Sequence, residues 1–157
     1  MNPNAVVDVF VERLQASGAD LNSIERAPWL DEIESRLGLR FPAFFRALVS
    51  RYAFPVLDLG KVELFANLGD GSQYDLTVAP FRDPVMSPWL AEHRLLHIGF
   101  PCIGNYDPIC FDLTNAGSPE PPIIKLEHEA ILLARRTVGR AAIAPNFLAL
   151  LAEATGV

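Results

Sequence analysis

Apolar positions along the first fifty residues recur with the period of a helix. Val7, Phe10, Val11 and Leu14 fall at i, i+3, i+4 and i+7, and Gly18 stands where such a helix would stop. Pro28 suits a first helical position, Trp29, Ile33 and Leu37 share one face, and Gly38 supplies the C-terminal stop. In "FPAFFRALVSRY", Pro42 repeats the entry device, while Phe44, Phe45, Leu48, Val49 and Tyr52 form a wide apolar stripe that leaves Arg46 and Ser50 to solvent. The spacing predicts three helices in the first third of the chain.

From Val56 the period changes. "VLDLGKVELFA" sets Val62, Leu64 and Ala66 against Lys61, Glu63 and Phe65, the alternation of a strand. Pro84 and Pro88 leave room only for a short helix from Ser87 to His93, with Ser87 as its cap. "LLHIGF", "ICFDL" and "PIIKLEH" read as strands between Gly and Pro punctuation. Pro145 opens a last helix with Phe147, Leu148, Leu150 and Leu151 inward and Gly156 near its end. Helices, then strands, then a helix is an α+β order rather than the alternation of a nucleotide-binding sheet.

Composition narrows the class. The 157 residues, half of them hydrophobic and a fifth charged, suit one compact domain spanning 1–157. No apolar run reaches the roughly 18 residues that cross a bilayer. Asp8, Glu12 and Arg13 interrupt the N-terminal stretch where a secretory signal would be apolar, so the expected location is the cytoplasm. Cys102 and Cys110, the two cysteines, are expected as free thiols. A net charge of -6 disfavours nucleic acid, whose phosphates need clustered Lys and Arg, and favours a basic protein partner.

Several constellations could carry chemistry, and each has a simpler alternative. His93 and His97 stand four apart, but "HRLLH" has Arg94 where a zincin needs Glu, and no third ligand is evident. Asp107, Asp112, Glu127, His128 and Glu129 could surround a hard cation, yet "NYDPICFDL" lacks the alternating ligands of a calcium loop. Asn105 and Asp107 read more simply as turn residues, with Gly104 and Pro108 fixing the bend. Cys110 could be a nucleophile beside His128, but it sits between Ile109 and Phe111, where a buried inert thiol is commoner. "NLGDGSQYD" has no phosphate-loop Lys and reads as a surface turn. No nucleophile, base and orienting group can be named together, so the expectation is a protein without catalytic residues, cofactor or metal.

The order "WLDEIESRLGLRFPAFFRALVSRY", "GKVELF", "IGFPCIGNYDPICFDL", "PPIIKLEHE" and "IAPNFLALLAEA" resembles the SUKH superfamily, which includes fungal Smi/Knr cell-wall assembly regulators and bacterial immunity proteins. The resemblance covers Pro28 to Ala154 and rests on three landmarks. These are the "LGLRFP" link between two helices, a "GN.D...FDL" turn and strand, and an "HE" after the next strand. It implies an α+β domain whose mixed or antiparallel sheet is covered by N-terminal helices and a C-terminal helix. It also implies a protein that neutralises a toxin by binding it or, as in the fungal relatives, a scaffold for an endogenous partner. Tyr106 replaces a Gly common in the family's turn, and "RYAFPVLDLGKVELF" replaces its usual glycine-rich turn.

Charge, not motif, suggests the contact face. Asp58, Glu63, Asp70 and Asp75 follow the helical third with Lys61 as the one basic residue between Tyr52 and Phe81, and Tyr106, Asp107 and Asp112 lie in the later turn and strand. The expected partner-binding residues are therefore Asp58, Glu63, Asp70, Asp75, Tyr106 and Asp107. A basic, nuclease-like toxin domain would be drawn to them.

Overall fold

A computed structural model describes residues 1–103, 105–115 and 117–156. The first helix, α1, spans Pro3–Ala16; Asn2 caps it by accepting from the Asn4 amide, and Val7, Val11 and Leu14 are buried. A two-residue strand β1, Asn22–Ser23, follows. Helix α2, Trp29–Leu37, ends on Gly38 at φ 66°, a left-handed stop that suits glycine. Helix α3, Ala43–Arg51, buries Phe44, Phe45, Leu48 and Val49. Tyr52 does not continue the stripe as a helical residue: it is extended and opens β2, Tyr52–Ala53, antiparallel to β1. Arg46 is not left to solvent, because it pairs with Asp31 and Glu34, and Glu34 also accepts from the Phe41 amide at 2.8 Å. The "LGLRFP" link is thus pinned from both sides.

The predicted strand after Val56 is a hairpin of two short strands, β3, Leu57–Asp58, and β4, Val62–Leu64. Its alternation stops at Phe65, which is buried rather than outward. Helix α4, Met86–Glu92, starts one residue before the predicted position. Its amides are met by Asp83, which accepts from Val85 and Met86, and not by Ser87, whose hydroxyl is buried without a partner. Strands β5, Leu95–Pro101, β6, Ile109–Asp112, and β7, Ile123–Leu126, match the three apolar runs. A single-turn helix α5, His128–Leu132, and an edge strand β8, Arg140–Ala144, were not foreseen. Helix α6, Phe147–Ala154, is capped by Asn146, which accepts from the Ala149 amide at 2.8 Å.

Among the described residues β3 to β8 form a six-stranded meander in chain order, every neighbouring pair antiparallel. The fold is α+β, with the sheet covered on both faces. One face, with Leu96, Ile98, Ile109, Phe111 and Ile123, packs on α1, α3 and α6. Phe45 of α3, Phe111 of β6 and Phe147 of α6 meet there with centroids 5.3 to 5.9 Å apart, which ties the two helices to the sheet. The other face, with Leu95, Cys110, Ile124 and Leu126, packs on Met86 and Leu90 of α4 and Ile131 of α5. Burial on both sides is why β5 to β7 read as unbroken apolar runs. Helices α4 and α5 cover only part of that second face. Among the described residues no helix is long and apolar enough to cross a membrane.

The register of β5 slips between His97 and Gly99. At Gly99 a Cβ would lie 2.2 Å from the Glu63 carbonyl oxygen, so the two strands approach more closely than any side chain allows. Gly99→Ala is expected to cost about 2 kcal/mol as β4 is pushed off β5, measured by urea unfolding.

Candidate functional site

An aromatic floor gathers around His97 of β5, outside the core that α4 and α5 form with the sheet. The rings of Phe65 and His97 are 4.7 Å apart, Phe100 lies 4.9 Å from His97 and 5.4 Å from Phe65, and all three contacts are edge-to-face. Tyr106 stands over Phe100 at 6.1 Å and is 66% exposed, a large aromatic held out into solvent. Two depressions meet along Tyr74, Phe100 and Tyr106. One, of about 290 Å³, reaches Glu63, Cys102 and Asn105. The other, of about 480 Å³, reaches His97, Arg82, Asp83 and His128. A larger depression of about 570 Å³ at α2 and α3 is lined by Asp31 and Glu34, both already paired with Arg46.

The acidic residues are dispersed more than the sequence suggests. Asp58 and Glu63 are cross-strand partners on β3 and β4, both exposed, and among the described residues neither has an ion-pair partner. Lys61 beside them pairs instead with Glu153 at 3.1 Å. Like charges directly opposite each other destabilise a hairpin, typically by a few tenths of a kcal/mol, so the pair is retained at a cost to folding. Glu63 and Tyr106 line the same depression, and Asp58 accepts from the thiol of Cys102 on its wall at 3.2 Å. Partial burial first, and then the Asp58 hydrogen bond and charge, push the Cys102 thiol up to about 12, which keeps it protonated at neutral pH.

Asp75 does not belong to this surface. It is fully buried and accepts from the amides of Leu68, Gly69 and Thr77 and from the Thr77 hydroxyl at 2.6 to 3.2 Å. The expectation of a rim residue is corrected: its carboxylate is the hub of the loop from Leu68 to Thr77. That loop is likewise more than a surface turn. Asn67, also buried, donates to the Val49 and Tyr52 carbonyls and accepts from the Trp29 indole, so both ends of the segment are anchored inside. Asp70 is exposed on the same loop, its pKa lowered by the Ser72 amide and hydroxyl, but it does not line the aromatic groove.

Asp107 is only partly exposed, and it is engaged. Its Oδ1 accepts from the His128 amide at 3.0 Å and lies 2.5 Å from His128 Nδ1; burial opposes its ionisation, but these bonds and the His128 and Lys125 charges hold its pKa below the usual carboxylate value. This clasp joins the turn before β6 to the start of α5. Asn105 accepts from the Asp107 amide, the local bond expected of a turn residue, while Gly104 lies outside the described residues. Asp112 turns the other way, toward Thr114 and Arg140, so the five residues once grouped as a cation site are not gathered. His93 stacks on Trp89 at 3.9 Å while His97 is buried in β5, and they do not converge. Cys110 packs in the α4 and α5 core, and burial drives its thiol pKa well up. Among the described residues no group of three His, Cys, Asp or Glu is placed to hold a metal ion.

Of the residues that line the groove, the sequence reading singled out Tyr106 and Glu63 as contact residues and did not connect Phe65, Tyr74, Phe100 or His97 with them. The available signal was His97 itself, the one polar residue in the apolar run "LLHIGF". Comparison with family models, curated proteins and solved structures finds no match to this chain.

Proposed function

We propose that this chain is a non-enzymatic, cytoplasmic protein-binding module of the SUKH type that neutralises a cognate bacterial toxin by binding it. The observation that carries the reading is the aromatic groove rimmed by exposed Tyr106 and by the unneutralised Asp58 and Glu63 pair. Protein interfaces are anchored by aromatic residues in partly enclosed pockets, and rim charges of one sign steer an oppositely charged partner. The charge is also polarised along the sheet. The β3 and β4 end carries the acidic pair, while Arg135, Arg136 and Arg140 are exposed at the β8 end. A basic partner is drawn to one end of the molecule. The sequence resemblance over Pro28 to Ala154 supplies the toxin-neutralising role.

Growth protection is the test. Co-expression with the toxin encoded next to its gene is expected to restore growth, and Tyr106→Asp is expected to abolish the rescue while leaving the melting temperature unchanged. Unprotected growth alongside a folded, abundant chain would refute toxin neutralisation and favour a scaffold for an endogenous partner.

A further inference from the structure

Asp58, Glu63 and Phe100 form a row across β3, β4 and β5, each directly opposite the next in register. Side chains so paired share one face of the sheet, with Cβ atoms about 5 Å apart. Two exposed carboxylates therefore run up to a ring that Phe65 and Tyr106 flank at 5.4 and 6.1 Å. Glu63, Phe65, Phe100 and Tyr106 line the 290 Å³ depression, and among the described residues its lining holds no lysine, arginine or histidine. Lys61 is drawn off to Glu153 at 3.1 Å, and Arg82 lines the neighbouring depression instead. The negative field reaches the wall itself. Beyond burial and the Asp58 hydrogen bond, the charges of Asp58 and Glu63 both raise the pKa of the Cys102 thiol there.

An acidic cavity with aromatic walls and no cation of its own selects a positive guest, and its shape narrows the choice. Phe65 meets Phe100 at 77° and Tyr106 meets it at 89°, so the walls form corners rather than parallel plates. A planar guanidinium lies flat on one wall of a corner. A compact ammonium is attracted by each ring face it approaches, while its four-carbon stem covers apolar surface, here Val56 and Pro101. The volume sits at the lower edge of the roughly 300 to 1,000 Å³ of small-molecule sites, which suits one long side chain.

We infer that this depression is the receptor for a lysine side chain of the protein partner, its ammonium set between the Glu63 carboxylate and the rings of Phe100 and Tyr106. The inference rests on the protein-binding reading and names the partner's anchor residue. It also gives the like-charged hairpin pair a use, since a bound ammonium relieves the repulsion between Asp58 and Glu63.

Titration of N-acetyllysine amide into the full chain, followed by the aromatic ¹³C resonances of Phe100 and Tyr106, tests it without any toxin. The expected result is a saturable shift, with at least fivefold weaker binding of N-acetylnorleucine amide, which keeps the stem and lacks the charge, and weaker binding of N-acetylarginine amide. Glu63→Gln, at an exposed position, is expected to weaken lysine binding at least fivefold while leaving the melting temperature unchanged or higher. Resonances unmoved by lysine would overturn the inference, as would equal binding of norleucine or tighter binding of arginine. Lysine binding without growth protection would refute toxin neutralisation alone, and protection with unmoved resonances would refute the lysine site alone.

Discussion

Acidification from pH 7 to pH 4 is expected to remove about 3 kcal/mol of folding stability through His97 alone, a large share of what a small domain has. Burial drives the His97 pKa down from 6.5 to about 3, against the weaker opposing pull of the Gly99 carbonyl and the Asp83 charge. The folded state therefore holds the ring neutral while the unfolded chain takes up a proton below its ordinary value of about 6.5. The His97 contribution is full above that value and falls by about 1.4 kcal/mol per pH unit until the folded value is reached. Asp8 and Asp107 have lowered pKa values, so their contributions are present above the ordinary carboxylate value and are lost as pH falls through it, at the acidic end of the His97 window. Urea unfolding at pH 7, 5.5 and 4 measures the slope. His97→Phe, which places an apolar ring between Phe65 and Phe100, is expected to flatten it, and an equal slope in the variant would assign the acid sensitivity elsewhere.

Asp75→Ala is expected to cost about 3 kcal/mol, or about 9 °C in melting temperature, because it removes a fully buried carboxylate on which three part-buried amides and a hydroxyl converge. The loop that Asp75 gathers also carries Gly69, against which the Trp29 ring is packed so closely that a Cβ there would lie 2.7 Å from it. Trp29 emission should therefore shift in the variant even below its melting temperature. A loss under 2 °C with unchanged emission would mean that the loop is held by Asn67 and Trp29 without the carboxylate.

Most of the fold was legible because it is punctuated. Pro and Gly flank the helical stripes, and strands buried on both faces show as apolar runs. The failures have local causes. "RAAIA" forms β8, but its alanines carry no strand signal and the strand is exposed at the sheet edge. "HEAIL" forms α5, too short for any period to show. Asp70 and Asp75 lie five residues apart in one polar loop and look alike in sequence. One is a solvent-exposed turn residue and the other a buried hub, a difference set by the converging amides of Leu68, Gly69 and Thr77. The aromatic groove was hidden for the same reason, since Phe65, His97, Phe100 and Tyr106 come from β4's end, β5 and the next turn, and only the folded sheet brings them together.

The proposed function requires that a basic protein dock on the aromatic groove and its acidic rim. Stopped-flow association with the toxin encoded beside the gene, at 20 mM and 200 mM salt, for the wild type and for Asp58→Lys with Glu63→Lys, tests it most directly. The wild type is expected to associate about tenfold more slowly at the higher salt, where the screening length falls below about 10 Å. The double variant is expected to lose at least tenfold in on-rate at low salt with little change in off-rate, because both charges are exposed on the rim. An on-rate indifferent to both salt and charge reversal would contradict the account.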